Sequence, residues 1–197
     1  MVTLFVLHLR HHFTLAKKMK NAHSAFTLRK HREEDKFDVI RTGYDTELFA
    51  GLGASCPRIP IEEYAAKWYA LKTDPQYSWA IVASEICVGS VWIHSIEKEN
   101  RRARFAIEIH NRDYRDRGIG CGAAKEVIKF AFEELKLHRL DLRVLVSNKR
   151  AIRCYESAGF VSEGIQRETL FLDGRWDSDL WMSILEYEYN KDANPSG

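Results

Sequence analysis

The sequence has few cysteines, almost no net charge and no long apolar run, and each shortage removes a class of function. The four cysteines, Cys56, Cys87, Cys121 and Cys154, stand singly, without a C-x-x-C pair or a Cys/His pair at ligand spacing. Neither a disulfide framework nor a zinc or other metal site is expected; reduced, mostly buried thiols are. Lysine and arginine number 30 against 28 acids, for a net charge of +2, so nothing draws nucleic acid by bulk electrostatics. Val2 to Leu9 is too short an apolar run to cross a bilayer, and its positive charges follow it, at Arg10, Lys17, Lys18 and Lys20, where a secretory signal has them first. Acids are missing until Glu33. The expectation is a cytoplasmic protein with no membrane partner, in which residues 1–21 are a poorly ordered extension and Met19 is the natural start. A transit-like or membrane-touching leader and metal capture by His8, His11 and His12 are the alternatives.

With 197 residues, 45% of them hydrophobic, the chain has the length and composition of one domain with a full core. No repeat, linker or low-complexity segment divides it, so a single domain is expected from about Ala22 to Asn190, with a disordered tail over 191–197. "AFTLRK" reads as a strand, and Glu33-Glu34-Asp35 place acids at a helix start, where the dipole favours them. After the break at "SCPRIP" an amphipathic helix runs from Ile61 to Leu71. Strands over Ser78 to Ser84 and Ile86 to Ile96 lead into a central strand, on which Phe105, Ile107 and Ile109 alternate with Ala106 and Glu108. A helix from Gly120 to about Lys136, a strand from Arg139 to Val146, a helix from about Lys149 to Ala158 and two closing strands complete the order. The pattern is α/β (α+β): about four helices around a mixed, mostly antiparallel sheet of about six or seven strands.

The richest stretch is Tyr114-Arg115-Asp116-Arg117-Gly118-Ile119-Gly120-Cys121-Gly122-Ala123, three glycines between a strand and a helix. Glycine lets amide N–H groups approach a ligand, and the unpaired N–H groups and dipole of a first helical turn favour a phosphate. A nucleotide-bearing cofactor is implied. Gly118 to Ala123 formally fits the dinucleotide fingerprint G-x-G-x-x-A, with Asp141 about 20 residues later. The context argues otherwise, because His110 to Arg117 separate the first glycine from its strand and Asp141 opens the next strand instead of closing it.

Counting the arginine, Arg115 to Gly120 is R-x-x-G-x-G, and "SNKRAIRCYESAGF" supplies N-x-x-A-x-x-x-Y-x-x-x-G-F through Asn148, Ala151, Tyr155, Gly159 and Phe160. With Glu163-Gly164 and the hairpin "FLDGRWDSDLWMSILEYEY", these motifs resemble the GNAT N-acetyltransferases, in the branch of the ribosomal-protein N-terminal acetyltransferases and spermidine acetyltransferase. The resemblance covers Ala103 to Tyr189; before that it is loose, carried by "FTLRKHREED". It implies the GNAT fold, acetyl-CoA as cosubstrate, and direct attack by an amine in a ternary complex. The loop Arg115, Asp116, Arg117, Gly118, Ile119, Gly120 and Cys121 would wrap the pyrophosphate, mainly through main-chain N–H groups, with Arg115 and Arg117 adding charge. Backbone groups of Ile107, Glu108 and Ile109, exposed where the central strand splays from its neighbour, would hold the pantetheine and the thioester carbonyl, and Asn148 would bond the pantetheine arm. Asp116 departs from the small residue often found there and is unfavourable beside a phosphate unless it turns outward or pairs with a base.

Acetyl transfer needs a neutral amine, a stabilised oxyanion and a proton for the departing thiolate. Tyr155 matches the family's proton donor, and a phenol of pKa about 10 can protonate a thiolate of pKa about 8.5 at little cost. Glu108, opposite Phe105, Ile107 and Ile109, is the candidate base acting through water, with a solvated strand carboxylate as its plain alternative; His110 is a weaker candidate. Cys121 and Cys154, beside the loop and beside Tyr155, suggest an acetyl-cysteine less well than they suggest small buried hydrophobes. The acceptor is left open between a protein N-terminus and a polyamine or other small amine, and a non-catalytic acyl-CoA sensor or interaction module remains the alternative class. Exposed strand edges in this architecture leave a homodimer open.

Overall fold

The computed structural model describes residues 26–193; the expectations about the extension and Met19 lie outside them. In chain order the elements are β1 (Thr27–Arg29), α1 (Asp35–Thr42), α2 (Thr46–Gly51), α3 (Ile61–Thr73), β2 (Tyr77–Ala83), β3 (Ile86–Glu97), β4 (Arg102–Ile109), α4 (Ile119–Glu133), β5 (Arg139–Leu145), α5 (Lys149–Ser157), β6 (Val161–Leu172), β7 (Arg175–Leu185) and α6 (Glu186–Ala193). The seven strands of the described residues form one sheet in the order β1-β2-β3-β4-β5-β7-β6. Every neighbouring pair is antiparallel except β4 with β5.

Both faces of the sheet are covered at the β1–β3 end, which is why "YSWAIVA" of β2 reads as a continuous apolar run. Trp79, Ile81 and Ala83 point to the main core, where Ala123, Val127 and Ala131 of α4 pack with Phe105, Tyr155 and Phe160. Ala80 and Val82 point to the opposite face, against Val39 of α1 and Ala65 and Trp68 of α3. At the other end β6 is an edge strand, exposed along most of its length.

Among the described residues six helices flank the sheet, where about four were expected. The six-residue α2 was missed because it is too short to show a period; its signal is Asp45, whose carboxylate accepts from the Glu47 and Leu48 amides as an N-cap. α6 replaces the end of the closing strand and continues to Ala193, into the stretch read as tail. Its Tyr189 stacks on Phe132 of α4 at 5.0 Å between centroids and donates a hydrogen bond to Glu133 (2.7 Å).

The feature that positions the site is the short β4/β5 ladder. Only Arg102, Ala103 and Arg104 of β4 find partners on β5, namely Arg139, Leu140 and Asp141. Beyond Arg104 the two strands part, and β4 continues to Ile109 paired with β3 alone.

Candidate active site

The gap between the strands opens into a cavity of about 590 Å³, walled by α2, β4, the glycine loop, β5, α5 and β6. That is a size suited to a cofactor arm with its acceptor. The sequence-derived residues Ile107, Glu108, Ile109, Arg115, Asp116, Gly118, Gly120, Cys121, Asn148 and Tyr155 all line it.

The loop has the local chemistry of an anion site. Gly118, at φ +75°, is the residue before α4, a left-handed conformation that glycine tolerates without strain. No side chain caps α4. Its first internal bond runs from Gly122 N–H to the Gly118 carbonyl (2.9 Å), so the N–H groups of Ile119, Gly120 and Cys121 are the open donors of the first turn. A CoA pyrophosphate fits these donors by charge and by the bareness of the loop. Ile119 contributes only its backbone, because its side chain is buried in the core.

The flanking charges play other parts than expected. The Arg115 Nε–H donates to the Ile109 carbonyl (3.0 Å), and its guanidinium lies 2.7 Å from Asp45 and 3.6 Å from Glu47. Arg115 therefore ties α2 to the end of β4, and its charge is neutralised there. Arg117 lies over the Tyr114 ring, 5.3 Å from its centroid, and does not line the cavity. Asp116 relieves its own conflict: its side chain is 74% exposed and 3.9 Å from Arg150.

Glu108 is not a solvated carboxylate. It is 8% exposed and reaches towards α3, where the Trp68 indole N–H donates to one oxygen (2.6 Å) and Lys72 Nζ lies 3.2 Å from the other. Burial pushes the carboxyl up, but Lys72, the Trp68 N–H and the neighbouring His110 outweigh it, so the group sits below the ordinary carboxylate range. Lys72 also stands 3.4 Å above the Trp92 ring. His110 is not the surface group its strand-end position suggests: it is buried, its Nε2 bonded to the Cys87 carbonyl at 2.9 Å, with Trp68 edge-on to its ring. Burial lowers its pKa, against the opposing pull of the Glu108 carboxylate beside it.

Tyr155 lines the cavity, with its ring edge-on to Phe105 and Phe160. Burial raises its phenol to about 12, so it keeps its proton until a stronger base appears. Asn148 is first a structural residue: its Oδ1 caps α5 by accepting from Ala151 N–H (3.1 Å), and its Nδ2 donates to the Gly51 carbonyl (3.3 Å). One N–H and one lone pair of the amide stay free for a ligand. The expectation of reduced, unpaired cysteines is corrected at this wall. Cys121 of α4 and Cys154 of α5 are joined as a disulfide, while Cys56 and Cys87 are free. Two cysteines on different helices, separated by 33 residues, carry no spacing motif that could announce the pair.

Sequence reasoning also missed Trp68, Lys72 and Asp45. Trp68 and Lys72 stand one turn apart on α3, and a lysine on the buried face of an amphipathic helix is the signal that could have flagged the pair. Among the described residues no group of three or more His, Cys, Asp or Glu gathers as a metal site, and no helix is long and apolar enough to cross a membrane.

Comparison with known proteins agrees with this geometry. A family model described as "Acetyltransferase (GNAT) domain" matches residues 25–161. The chain is 30% identical over 127 residues to "Probable N-acetyltransferase YjcK" of Bacillus subtilis, covering 64% of this chain and 68% of that protein. It is 32% identical over 107 residues to the spermidine N(1)-acetyltransferase of Vibrio cholerae, covering 54% and 61%. A solved Vibrio cholerae spermidine N-acetyltransferase, in complex with CoA and spermine, superposes with a TM-score of 0.71 at 23% identity over 86% of this chain and 99% of that one, a likeness of fold. With the family model running from β1 to the start of β6 across the splayed strands, the glycine loop and Tyr155, the chain belongs to the GNAT family, whose domain is an acetyl-CoA-dependent acyltransferase.

Proposed function

We propose that this protein transfers an acetyl group from acetyl-CoA to a primary amine by direct attack in a ternary complex, and that its preferred acceptor is an α-amine such as a protein N-terminus. The observation that carries the reading is that one cavity joins the open N–H donors of α4, the unpaired backbone of β4 and the Tyr155 phenol. Acetyl-CoA supplies an acyl group activated as a thioester. The amides of Ile119 to Cys121 bind its phosphates, the edge of β4 from Ile107 to Ile109 and the spare valences of Asn148 orient its arm, and Tyr155 protonates the leaving sulfur.

The acceptor class follows from charge. Acids lining the cavity have basic partners: Glu47 with Arg115 and Arg150, Asp116 with Arg150, Asp179 with Arg143, and Glu108 with Lys72. A polyamine needs unpaired carboxylates. An amine of pKa about 10.4 also costs about 4–5 kcal/mol to deprotonate at pH 7, against about 1 for an α-amine near pKa 8. A carboxylate held below its usual range is a weak base for the first and adequate for the second. The likeness to a spermidine acetyltransferase favours a polyamine as the second reading.

Initial rates with acetyl-CoA and an N-terminal peptide varied together test the direct attack. Intersecting lines are expected; parallel lines would place an acetyl-enzyme intermediate in its stead. Assembly as a homodimer belongs to the same proposal, supported by the exposed β6 edge and by Val161, Ile165, Phe171 and Trp176 exposed along the β6–β7 hairpin.

A further inference from the structure

The acetyl-transfer chemistry makes no use of Cys121 and Cys154, although both side chains stand in the cofactor wall. Cys121 follows Gly120 in the first turn of α4, and Cys154 precedes Tyr155 in α5. Their Cα atoms are 5.4 Å apart, within the range a disulfide spans without moving the backbone. Both are half-buried and accessible from the cavity. Cys87, by contrast, is buried under α1 and α3, its thiol pushed up by desolvation. Thiol–disulfide exchange proceeds through a thiolate. The positive end of α4, together with Arg150 and Arg153 in the same cavity lining, supplies the potential that favours negative charge at this wall.

We propose that Cys121 and Cys154 form a thiol–disulfide exchange site in the wall of the cofactor groove, taking low-molecular-weight disulfides as oxidant and low-molecular-weight thiols as reductant, and that its oxidation state sets cofactor affinity. In the oxidising direction the Cys121 thiolate attacks one sulfur of RS–SR, forming a protein–S–S–R bond and expelling RS⁻, which takes up the proton Cys121 released. Cys154 then attacks the Cys121 sulfur of that mixed disulfide and expels the second RS⁻. The net change is two cysteine thiols oxidised to one disulfide and one RS–SR reduced to two RSH. The reverse sequence reopens the pair. The disulfide fixes the first turn of α4 against α5, holding the phosphate-binding amides and Tyr155 in one rigid wall around an open groove. Reduction frees the two helices from each other, and the mixed disulfide places R inside the groove. The disulfide is therefore the binding-competent form, by preorganisation.

The coupling to cofactor rests on the acetyl-CoA reading above; the exchange itself does not. The test uses the full chain equilibrated in glutathione buffers from fully reducing to fully oxidising. Free thiols are counted by alkylation and mass spectrometry, and acetyl-CoA affinity is measured by calorimetry at both ends. Two of the four thiols are expected to disappear together and reversibly, with a Cys121–Cys154 cross-linked peptide in the digest, and Cys154→Ser is expected to trap a Cys121–glutathione adduct. The oxidised protein is expected to bind acetyl-CoA about tenfold more tightly than the reduced one, and Cys121→Ser/Cys154→Ser to bind like the reduced wild type in both buffers. Four free thiols at every ratio, or a pair that no glutathione ratio opens, would overturn the exchange site. Equal affinity in both states would overturn the coupling while the thiol count upholds the exchange. No binding in either state would overturn the acetyl-CoA reading and the coupling with it, leaving the thiol count to decide the exchange.

Discussion

Lys72 and Glu108 form a buried ion pair across the β4–α3 interface, Nζ to Oε2 at 3.2 Å, while the Trp68 N–H takes the other carboxylate oxygen at 2.6 Å. The strand residue that alternation offers as a base is thus held by a helix packed on the opposite face of the sheet from α4. The pairing keeps Glu108 ionised and limits its strength as a base at the same time.

Lys72→Met leaves Glu108 buried with only Trp68 and His110 as neighbours of opposite character, and is expected to destabilise the protein by about 3–5 kcal/mol at neutral pH. The sign of the pH dependence inverts. In wild type the carboxyl is depressed on folding, so its stabilisation is present above the ordinary carboxylate pKa and is lost as pH falls through the lower folded value. In the variant burial dominates and raises the folded value, so the deficit is largest at neutral pH and shrinks as pH falls and Glu108 takes a proton. Urea unfolding from pH 4.5 to 8 checks this; a deficit independent of pH would mean that Lys72 contributes packing alone.

Glu108→Gln separates the acceptor classes. With an N-terminal peptide, kcat/KM is expected to fall little, within about fivefold, across pH 6 to 9.5. With a polyamine the loss is expected to be large near neutral pH and to narrow towards pH 9, as the amine deprotonates unaided. A loss equal for both substrates and constant with pH would leave Glu108 as a structural carboxylate.

Tyr155→Phe keeps the ring contacts with Phe105 and Phe160 and removes only the proton donor. The expected result is a fall in kcat of about 10²–10⁴-fold with acetyl-CoA affinity and thermal stability near wild type. Turnover within about threefold of wild type would assign the proton to water or another group.

Gly120→Ala tests the loop with little strain. A methyl group there meets only Ile109 Cγ1, at 3.7 Å, an ordinary contact, and alanine suits a helix better than glycine. Stability should hold or rise slightly while acetyl-CoA binding weakens by about tenfold or more, since a bare backbone is what lets a phosphate approach amide N–H groups closely. Gly89→Ala is the opposite control. Its Cβ would run into the Glu108 carbonyl, so it should lower stability first. Wild-type affinity in folded Gly120→Ala, measured by calorimetry, would remove the phosphate from this loop.

What the sequence made legible is what the backbone demands. Gly118 must take a positive φ, and Phe105 must alternate with Glu108 on a strand, and each demand leaves a mark within a few residues. The parting of β4 from β5 was available only through family resemblance, because a ladder that stops at Arg104 leaves no local pattern. Contacts between distant segments were illegible altogether: Lys72 and Trp68 meet Glu108 from another helix, Asp45 captures Arg115, and Cys121 meets Cys154. Spacing shows which face a residue occupies, and only the packed fold shows what lies opposite. Asn148 illustrates the overlap, since the position that matches a ligand-binding motif is also an N-cap, and the sequence alone does not separate the two roles.

Acetyl transfer to an amine is read out by following free CoA thiol released from acetyl-CoA in the presence of N-terminal peptides, polyamines and aminoglycosides, with the acetylated product weighed by mass spectrometry in the same reactions. Amine-dependent release is expected, one thiol for each acetylated amine, with the N-terminal peptides giving the highest kcat/KM. Saturable acetyl-CoA binding without amine-dependent thiol release from any acceptor class would contradict it and make the protein an acyl-CoA-binding module.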